Sequence, residues 1–186
     1  MAIGEHFPTV LEAARGGAEW AWRLIYRELA PSLLGYFRAR RATEPEDLLG
    51  EVFLQVVRDV SGFQGSERHF RAWLFKIAHN RLVDARRRDA RRLLRPLSDE
   101  LAQLESVLGD VDPSITSLGD RQWIHGMLGR LSADQQEILW LRLFGDLSVD
   151  DVARVVGKRP GAVKGRLEAA SLTFRGLPAR ARILSI

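Results

Sequence analysis

The sequence predicts an all-α protein of two small helical domains joined by an acidic flexible linker, the second domain ending in a helix-turn-helix. Three observations carry this. Apolar residues recur at three-and-four spacing over long stretches, the mark of buried helical stripes. Helix-start signals precede several of these stretches, with Ser or Thr followed three residues later by Glu or Gln. Residues 96–120 carry six acids and no Lys or Arg, interrupted by Pro96, Gly109 and Pro113. That is the composition of a connector. The expected boundaries are 1–95 for the first domain, 96–118 for the linker and 119–186 for the second domain.

Taken in order, residues 7–41 read as helical. Ala21, Leu24, Tyr26, Leu29, Leu33, Leu34 and Phe37 form the inward stripe, and Trp20 and Trp22 are expected core anchors. Gly16-Gly17 separates a short first helix from a longer second one. Thr43 is the expected N-cap of the next helix, with Glu46 completing a capping box and Glu44, Glu46 and Asp47 in the favourable field of its first turn. Leu49, Phe53, Val56, Val57 and Val60 supply its buried face. Asp47 and Glu51, four apart, share another face. Spacing alone leaves them as either two solvated acids or a protein-binding pair.

Ser61-Gly62 ends that helix, and a polar loop carrying aromatics follows. A further helix runs over about residues 70–92, with Trp73, Leu74, Ile77, Ala78, Leu82 and Ala85 inward. Arg71, Phe75, Asn80, Arg81, Asp84, Arg87 and Arg88 are expected elsewhere on its circumference. Residues 66–95 hold ten basic side chains against three acids. An exposed Phe75 beside these arginines, near Phe63, suits stacking of unpaired bases, because every base has a π-face and arginines hold phosphates. An acidic helix, an aromatic platform and an arginine-rich helix thus suggest one surface for a protein and another for nucleic acid.

In the linker, Leu97, Leu101, Leu104 and Leu108 have the spacing of a brief amphipathic helix. Residues 121–131 form the next helix. Ser132 and Gln135 make a capping box for a helix with Ile138, Leu139, Leu141 and Leu143 inside, broken at Gly145-Asp146. Ser148 caps a short helix over residues 149–156, Gly157 makes the turn, and Pro160 fits the first turn of the last helix. Val163, Leu167 and Ala170 face inward there, leaving Lys164, Arg166 and Glu168 outside. This is the helix-turn-helix pattern, whose second helix enters a major groove.

Composition narrows the function. A hydrophobic share of 46% and a charged share of 28% belong to a globular chain rather than a disordered one. There are no cysteines, so disulfides, thiolate metal sites and cysteine catalysis are excluded. The net charge of +4 is modest; its concentration in residues 66–95 is what points to a polyanion. No signal peptide and no membrane-spanning run is read, so the expectation is a cytoplasmic protein without membrane insertion. His6, His69, His79 and His125 show no metal-ligand spacing, and no nucleophile motif or phosphate-cradling glycine loop is present. The expectation is a non-catalytic protein with no cofactor or metal.

These residues together resemble the extracytoplasmic-function (ECF) group of bacterial sigma factors, over nearly the whole chain. The resemblance rests on Glu46-Asp47-Leu48, Glu51-Val52-Phe53-Leu54, and Ala72 through Asn80 with Asp84, Arg87 and Arg88. Distally it rests on Leu147-Ser148, Asp151-Val152-Ala153, Gly161-Ala162-Val163-Lys164 and Arg166-Leu167. It implies a transcription initiation factor that binds core RNA polymerase and directs it to promoters, the first domain being sigma region 2 and the second sigma region 4. It implies docking of Asp47, Leu48 and Glu51 on the β′ clamp helices, with further contact to the β subunit. Recognition and opening of the minus-ten promoter element would fall to Phe63, Phe75 and Asn80, with Lys76, Arg87 and Arg88 on phosphates. The minus-thirty-five element would be read by Lys164, Gly165, Arg166 and Glu168. An anti-sigma factor is a further implied partner.

The sequence departs from the family pattern at three places. Gly50 stands where glutamine is usual, at a cost of about 1 kcal/mol relative to alanine in a helix interior. Glu168-Ala169-Ala170-Ser171 replaces a stretch that usually carries arginine, which predicts fewer phosphate contacts and a shallower salt dependence. Glu168 is suited instead to accept from a cytosine amino group. No appended C-terminal sensor domain is expected. The alternatives are a helix-turn-helix regulator acting on duplex DNA without polymerase docking, and an interaction module that has lost DNA binding.

Overall fold

Helix-forming stripes dominate the first unit because each helix has apolar residues to bury against at least one neighbour. The computed structural model describes residues 3–92 and 131–173. The acidic linker, the stripe Leu97-Leu101-Leu104-Leu108 and the helix expected at 121–131, apart from Leu131, lie outside the described residues. The chain divides into two compact units, Met1–Ser98 and Asp99–Ile186.

After a 3₁₀ turn at Gly4–His6, the first unit contains α1 (Phe7–Arg15), α2 (Glu19–Ala39), α3 (Pro45–Asp59) and α4 (Glu67–Arg92). A second 3₁₀ turn, Val60–Gly62, follows α3. The inward stripe of α2 is Ala21, Ile25, Leu29, Leu33, Tyr36 and Phe37, all buried. Ile25 sits where the sequence reading had Leu24 and Tyr26; Tyr26 is half exposed. Its ring lies 4.8 Å from that of Phe53 on α3. Trp20 is not a core anchor, being 55% exposed. Trp22 is half-buried and donates its indole N–H to the Ala14 carbonyl at 3.0 Å.

Two expectations for α3 fail for local reasons. The N-cap is Glu44, without a side-chain bond. Thr43 instead donates its hydroxyl to the Asp89 carboxylate on α4 at 3.2 Å, and Glu46 pairs with Arg38 of α2 at 3.0 Å. Leu49, Phe53, Val56 and Val60 are buried as expected, whereas Val57 is half exposed. The core is completed by α4, which packs on both α2 and α3. It therefore buries a wide arc, with Phe70, Leu74, Phe75, Ala78 and Leu82 at 1% exposure or less. Ala85, expected inside, is only partly covered.

The second unit contains α5 (Ala133–Gly145), α6 (Val149–Val156) and α7 (Pro160–Thr173). Ser132 and Gln135 form the full reciprocal capping box on α5. Asp146 ends that helix in the left-handed conformation (φ 49°), which a short polar side chain tolerates better than most. Ser148 caps α6, accepting the Asp151 N–H, and Gly157 turns the chain at φ 67°. Ile138, Leu141, Leu147, Val152, Val155 and Val163 make the core. Leu143 is exposed at 37%, and Trp140 takes the buried place instead.

Candidate nucleic-acid interface

The long helix α4 has two contrasting sides. Trp73, Lys76, Asn80, Asp84 and Arg87 recur at three-and-four spacing and so lie along one outer face, over about 21 Å at 1.5 Å per residue. Asn80 and Arg87 are exposed, and Lys76 is half-buried. Arg87 lies 3.6 Å from Asp84, and both side chains remain more than half exposed. Arg88 is exposed on the flank of this face towards α3.

Phe75 points the other way. It has no exposed surface, and its ring meets that of Tyr36 edge-on at 5.7 Å and 71°. A ring so enclosed has no free face for a base, so its assignment to minus-ten binding is withdrawn. The reason is geometric: a helix packed against two others buries more than the single stripe that one partner would require.

Phe63, in contrast, is half-buried at the head of the α4 face. It stacks on Trp73 at 5.2 Å with 26° between the planes and meets Phe70 edge-on at 5.1 Å. Trp73, read from sequence as simply inward, is the platform that orients Phe63. The loop between is tight. Gly65 has φ 149°, and a Cβ there would sit 2.9 Å from His69 Cβ and 3.2 Å from the Phe63 ring. Ser66 and His69 close it with a side-chain contact of 3.0 Å.

The predicted docking residues of α3 separate in space. Leu48 is 5% exposed and belongs to the core, so it offers nothing to a partner. Asp47 is exposed. Glu51 faces α4, with its carboxylate 3.7 Å from Arg81 and 3.9 Å from Arg88. Arg81 also donates to Gln55 at 2.8 and 3.2 Å. The acidic helix and the arginine helix are thus joined by a polar seam. Beyond it, Asp47, Gly50, Leu54 and Val57 form a stripe at i, i+3, i+7 and i+10, with Leu54 65% and Val57 50% exposed. The two apolar members were missed because a period count assigns apolar residues inward by default. Beside the stripe, Trp22, Tyr26, Phe53 and Val57 line a shallow groove rimmed by Glu19 and Arg23.

In the second unit, Lys164, Gly165 and Glu168 lie on the outer face of α7, and Lys164 is 4.0 Å from Glu168. Arg166 is turned towards α5, where its Nε meets Asp134 at 3.2 Å; Lys158 reaches the same oxygen at 2.5 Å. The hydrogen bond from Lys158, and then the charges of both cations, hold the Asp134 carboxyl below the ordinary aspartate range. Arg166 therefore sits on the flank of α7 rather than on its outer face, correcting the expectation. Asp151, in the first turn of α6, is fully buried and takes a hydrogen bond from Ser148 at 2.6 Å and an ion pair from Arg154 at 3.0 Å. Among the described residues, no group of three or more His, Cys, Asp or Glu gathers into a metal site, and no helix is long and apolar enough to cross a membrane.

With these surfaces in view, comparison with known proteins assigns the family. Residues 20–92 match sigma-70 region 2, and residues 121–172 match sigma-70 region 4. The chain belongs to the sigma-70 family, in its ECF group: transcription initiation factors that direct RNA polymerase to promoters. It is 30% identical over 177 residues to the ECF RNA polymerase sigma factor BldN of Streptomyces coelicolor, covering 94% of this chain and 64% of BldN. It is 28% identical over 178 residues to the ECF RNA polymerase sigma factor ShbA of Streptomyces griseus, covering 90% of this chain and 92% of ShbA. Its fold is similar to that of CnrH, solved in complex with the cytosolic domain of CnrY, with a TM-score of 0.62 at 21% identity over 91% of this chain and 94% of that one.

Proposed function

We propose that this chain docks on the β′ clamp helices of core RNA polymerase through the outer stripe of α3, with the β subunit as a further contact. Asp47 provides the charge, Leu54 and Val57 the apolar anchor, and Glu51 the edge. An exposed apolar patch rimmed by polar residues is the kind of surface that marks a protein-interaction site. The minus-ten element meets the α4 face. Phe63 stacks on an unpaired non-template base, Asn80 bonds its edge, and Lys76, Arg87 and Arg88 lie along the phosphates. Lys164, Gly165 and Glu168 of α7 meet the minus-thirty-five element. The protein acts in the cytoplasm and is itself non-catalytic, and the domain roles follow the 1–95, 96–118 and 119–186 division.

The observation that carries this reading is the alignment of Phe63 on Trp73 with Lys76, Asn80 and Arg87 along one face of α4. A duplex-binding regulator needs no such face. It would concentrate affinity in α7, whose outer side is Gly161, Lys164, Gly165, Glu168 and Leu172. An anti-sigma factor is proposed to cover the α3 stripe and the Trp22–Tyr26–Phe53–Val57 groove. CnrH, which shares the fold, was solved with the cytosolic domain of CnrY.

The test is run-off transcription by core polymerase on a pool of promoter fragments, with and without the chain, using Leu54→Asp/Val57→Asp as control. Chain-dependent transcripts that disappear with the control are expected. Retained transcription by the double variant would move the docking surface off α3. Absence of both transcripts and polymerase binding by the parent chain would overturn the function.

A further inference from the structure

Residues 3–15 precede the region 2 match, which begins at residue 20, yet they hold both ends of the loop that presents Phe63. At the start of the loop, Arg15 of α1 reaches across 45 to 48 positions of sequence. Its Nε donates to the Val60 carbonyl at 3.5 Å, and an Nη donates to the Phe63 carbonyl. Glu12 steadies the same guanidinium at 3.0 Å. At the end of the loop, the first residue of α4 accepts two backbone bonds: Glu67 takes the N–H groups of Ile3 at 2.9 Å and Gly4 at 2.7 Å. Beneath it, the ring of Phe7 packs on Phe70 at 5.5 Å, under the Phe63–Trp73 stack.

We infer that Arg15 is a positioning residue for minus-ten opening, and that residues 3–15 act as a strap fixing the Phe63 loop. The inference rests on the proposed role of Phe63 in capturing a base. Its physical logic is preorganisation. A loop that must receive an unstacked base gains most when its backbone is already fixed, so that no ordering cost falls at the moment of capture. A guanidinium suits this task because its planar fork donates to two carbonyls at once. A lysine ammonium is a single point charge on a more flexible stem and cannot hold the same geometry.

The experiment uses full-length Arg15→Ala, Arg15→Lys, Glu67→Gln and Phe63→Ala chains with core polymerase. The template is a promoter recovered with the parent chain, carrying a fluorescent base analogue in its minus-ten element; a second template has that element already unpaired. For Arg15→Ala, core affinity should stay within about twofold of the parent, the scale of a change outside the docking stripe itself. Opening should slow by about tenfold, the equivalent of roughly 1.4 kcal/mol, and the unpaired template should recover most of the transcription. Arg15→Lys should resemble Arg15→Ala, and Glu67→Gln should fall between them and the parent. Should Arg15→Ala fail to fold, Arg15→Lys and Glu67→Gln decide the matter by the same readouts.

Parental opening by the Arg15 variants while Phe63→Ala is slow would overturn the strap. So would a parallel loss of core binding and of activity on the unpaired template, which marks a general role in folding. Parental opening by Phe63→Ala would instead remove the base-capture role, and the inference with it.

Discussion

The two helices proposed to meet DNA, α4 and α7, each bury one side and differ in what they place on the outside. On α4 the outer face carries an aromatic pair, an amide and cations, while the opposite side is sealed into the core. On α7 the outer face is small and nearly neutral: Gly161, Gly165 and Ala169 surround one Lys164, which has Glu168 beside it. Arg166, the second cation available there, is held by Asp134. The difference implies a division of labour. On the proposed roles, the first unit would supply stacking and phosphate attraction for strand opening, and the second closeness of approach and edge recognition with little charge.

The largest effect should come from the sealed side of α4. Phe75→Ala empties a fully buried aromatic site and should lower stability by about 3–5 kcal/mol, read as a fall in denaturation midpoint. Val163→Ala, its counterpart on the inner side of α7, removes less apolar volume and should cost about 2 kcal/mol. Phe63→Ala, half exposed, should cost about 1 kcal/mol while slowing opening. Equal stability losses for Phe63→Ala and Phe75→Ala would erase the contrast between the faces of α4.

Next in size is the ionic term. On a single-stranded minus-ten probe, Arg87→Ala or Arg88→Ala should each lower the log–log salt slope of binding by about 0.7. Arg166→Ala, tested on duplex minus-thirty-five DNA, should change it by less than half of that, because Asp134 holds this cation at 3.2 Å, closer than Asp84 lies to Arg87 or Glu51 to Arg88, and on a less exposed flank. A full unit lost with Arg166→Ala would mean that the guanidinium leaves Asp134 for a phosphate when DNA arrives.

Smaller again are the helix glycines. Gly50 on α3 and Gly165 on α7 both have open space where a Cβ would be, so none of the described residues requires glycine at either place. Replacing each by alanine should stabilise its unit by about 0.5–1 kcal/mol in denaturant titration. The two differ in function: alanine at 50 should affect polymerase binding alone, and alanine at 165 duplex binding alone.

Much of this arrangement was legible in the sequence where local chemistry decides it. The Ser132–Gln135 box, the Ser148 cap and the Gly157 turn are written in adjacent residues, and the structure has all three. The failures share one cause, which is contact between elements. Thr43 loses its cap role to a bond with Asp89, 46 residues away. Phe75 is buried because α2 and α3 both pack on α4, a fact that no single period reveals. Val57, expected inside, is half exposed because α3 is covered on one side while this residue lies on the other. The reach of Arg15 to the Phe63 loop carried no signal, because the groups it holds there are backbone carbonyls and carbonyls have no sequence.

The smallest expected effect is a pH dependence that separates the units again. Asp134 has its folded pKa depressed, chiefly by the Lys158 hydrogen bond and then by the charges of Lys158 and Arg166. The stabilisation is therefore complete above the ordinary aspartate value of about 3.9 and is lost as pH falls from there through the folded value. In the first unit Glu46 is lowered in the same sense, first by its hydrogen bond from Arg38, but its carboxylate is more exposed than that of Asp134, which two cations share. Solvent screening weakens such a bridge, so the acid-side loss should be greater in the second unit. Hydrogen-exchange protection of the full chain, followed from about pH 5 to pH 3, resolves the two units separately. Helices α5 and α7 should lose protection before α2 and α3, and Asp134→Asn should flatten that early loss by removing the titrating group. An unchanged profile in Asp134→Asn would place the acid sensitivity elsewhere.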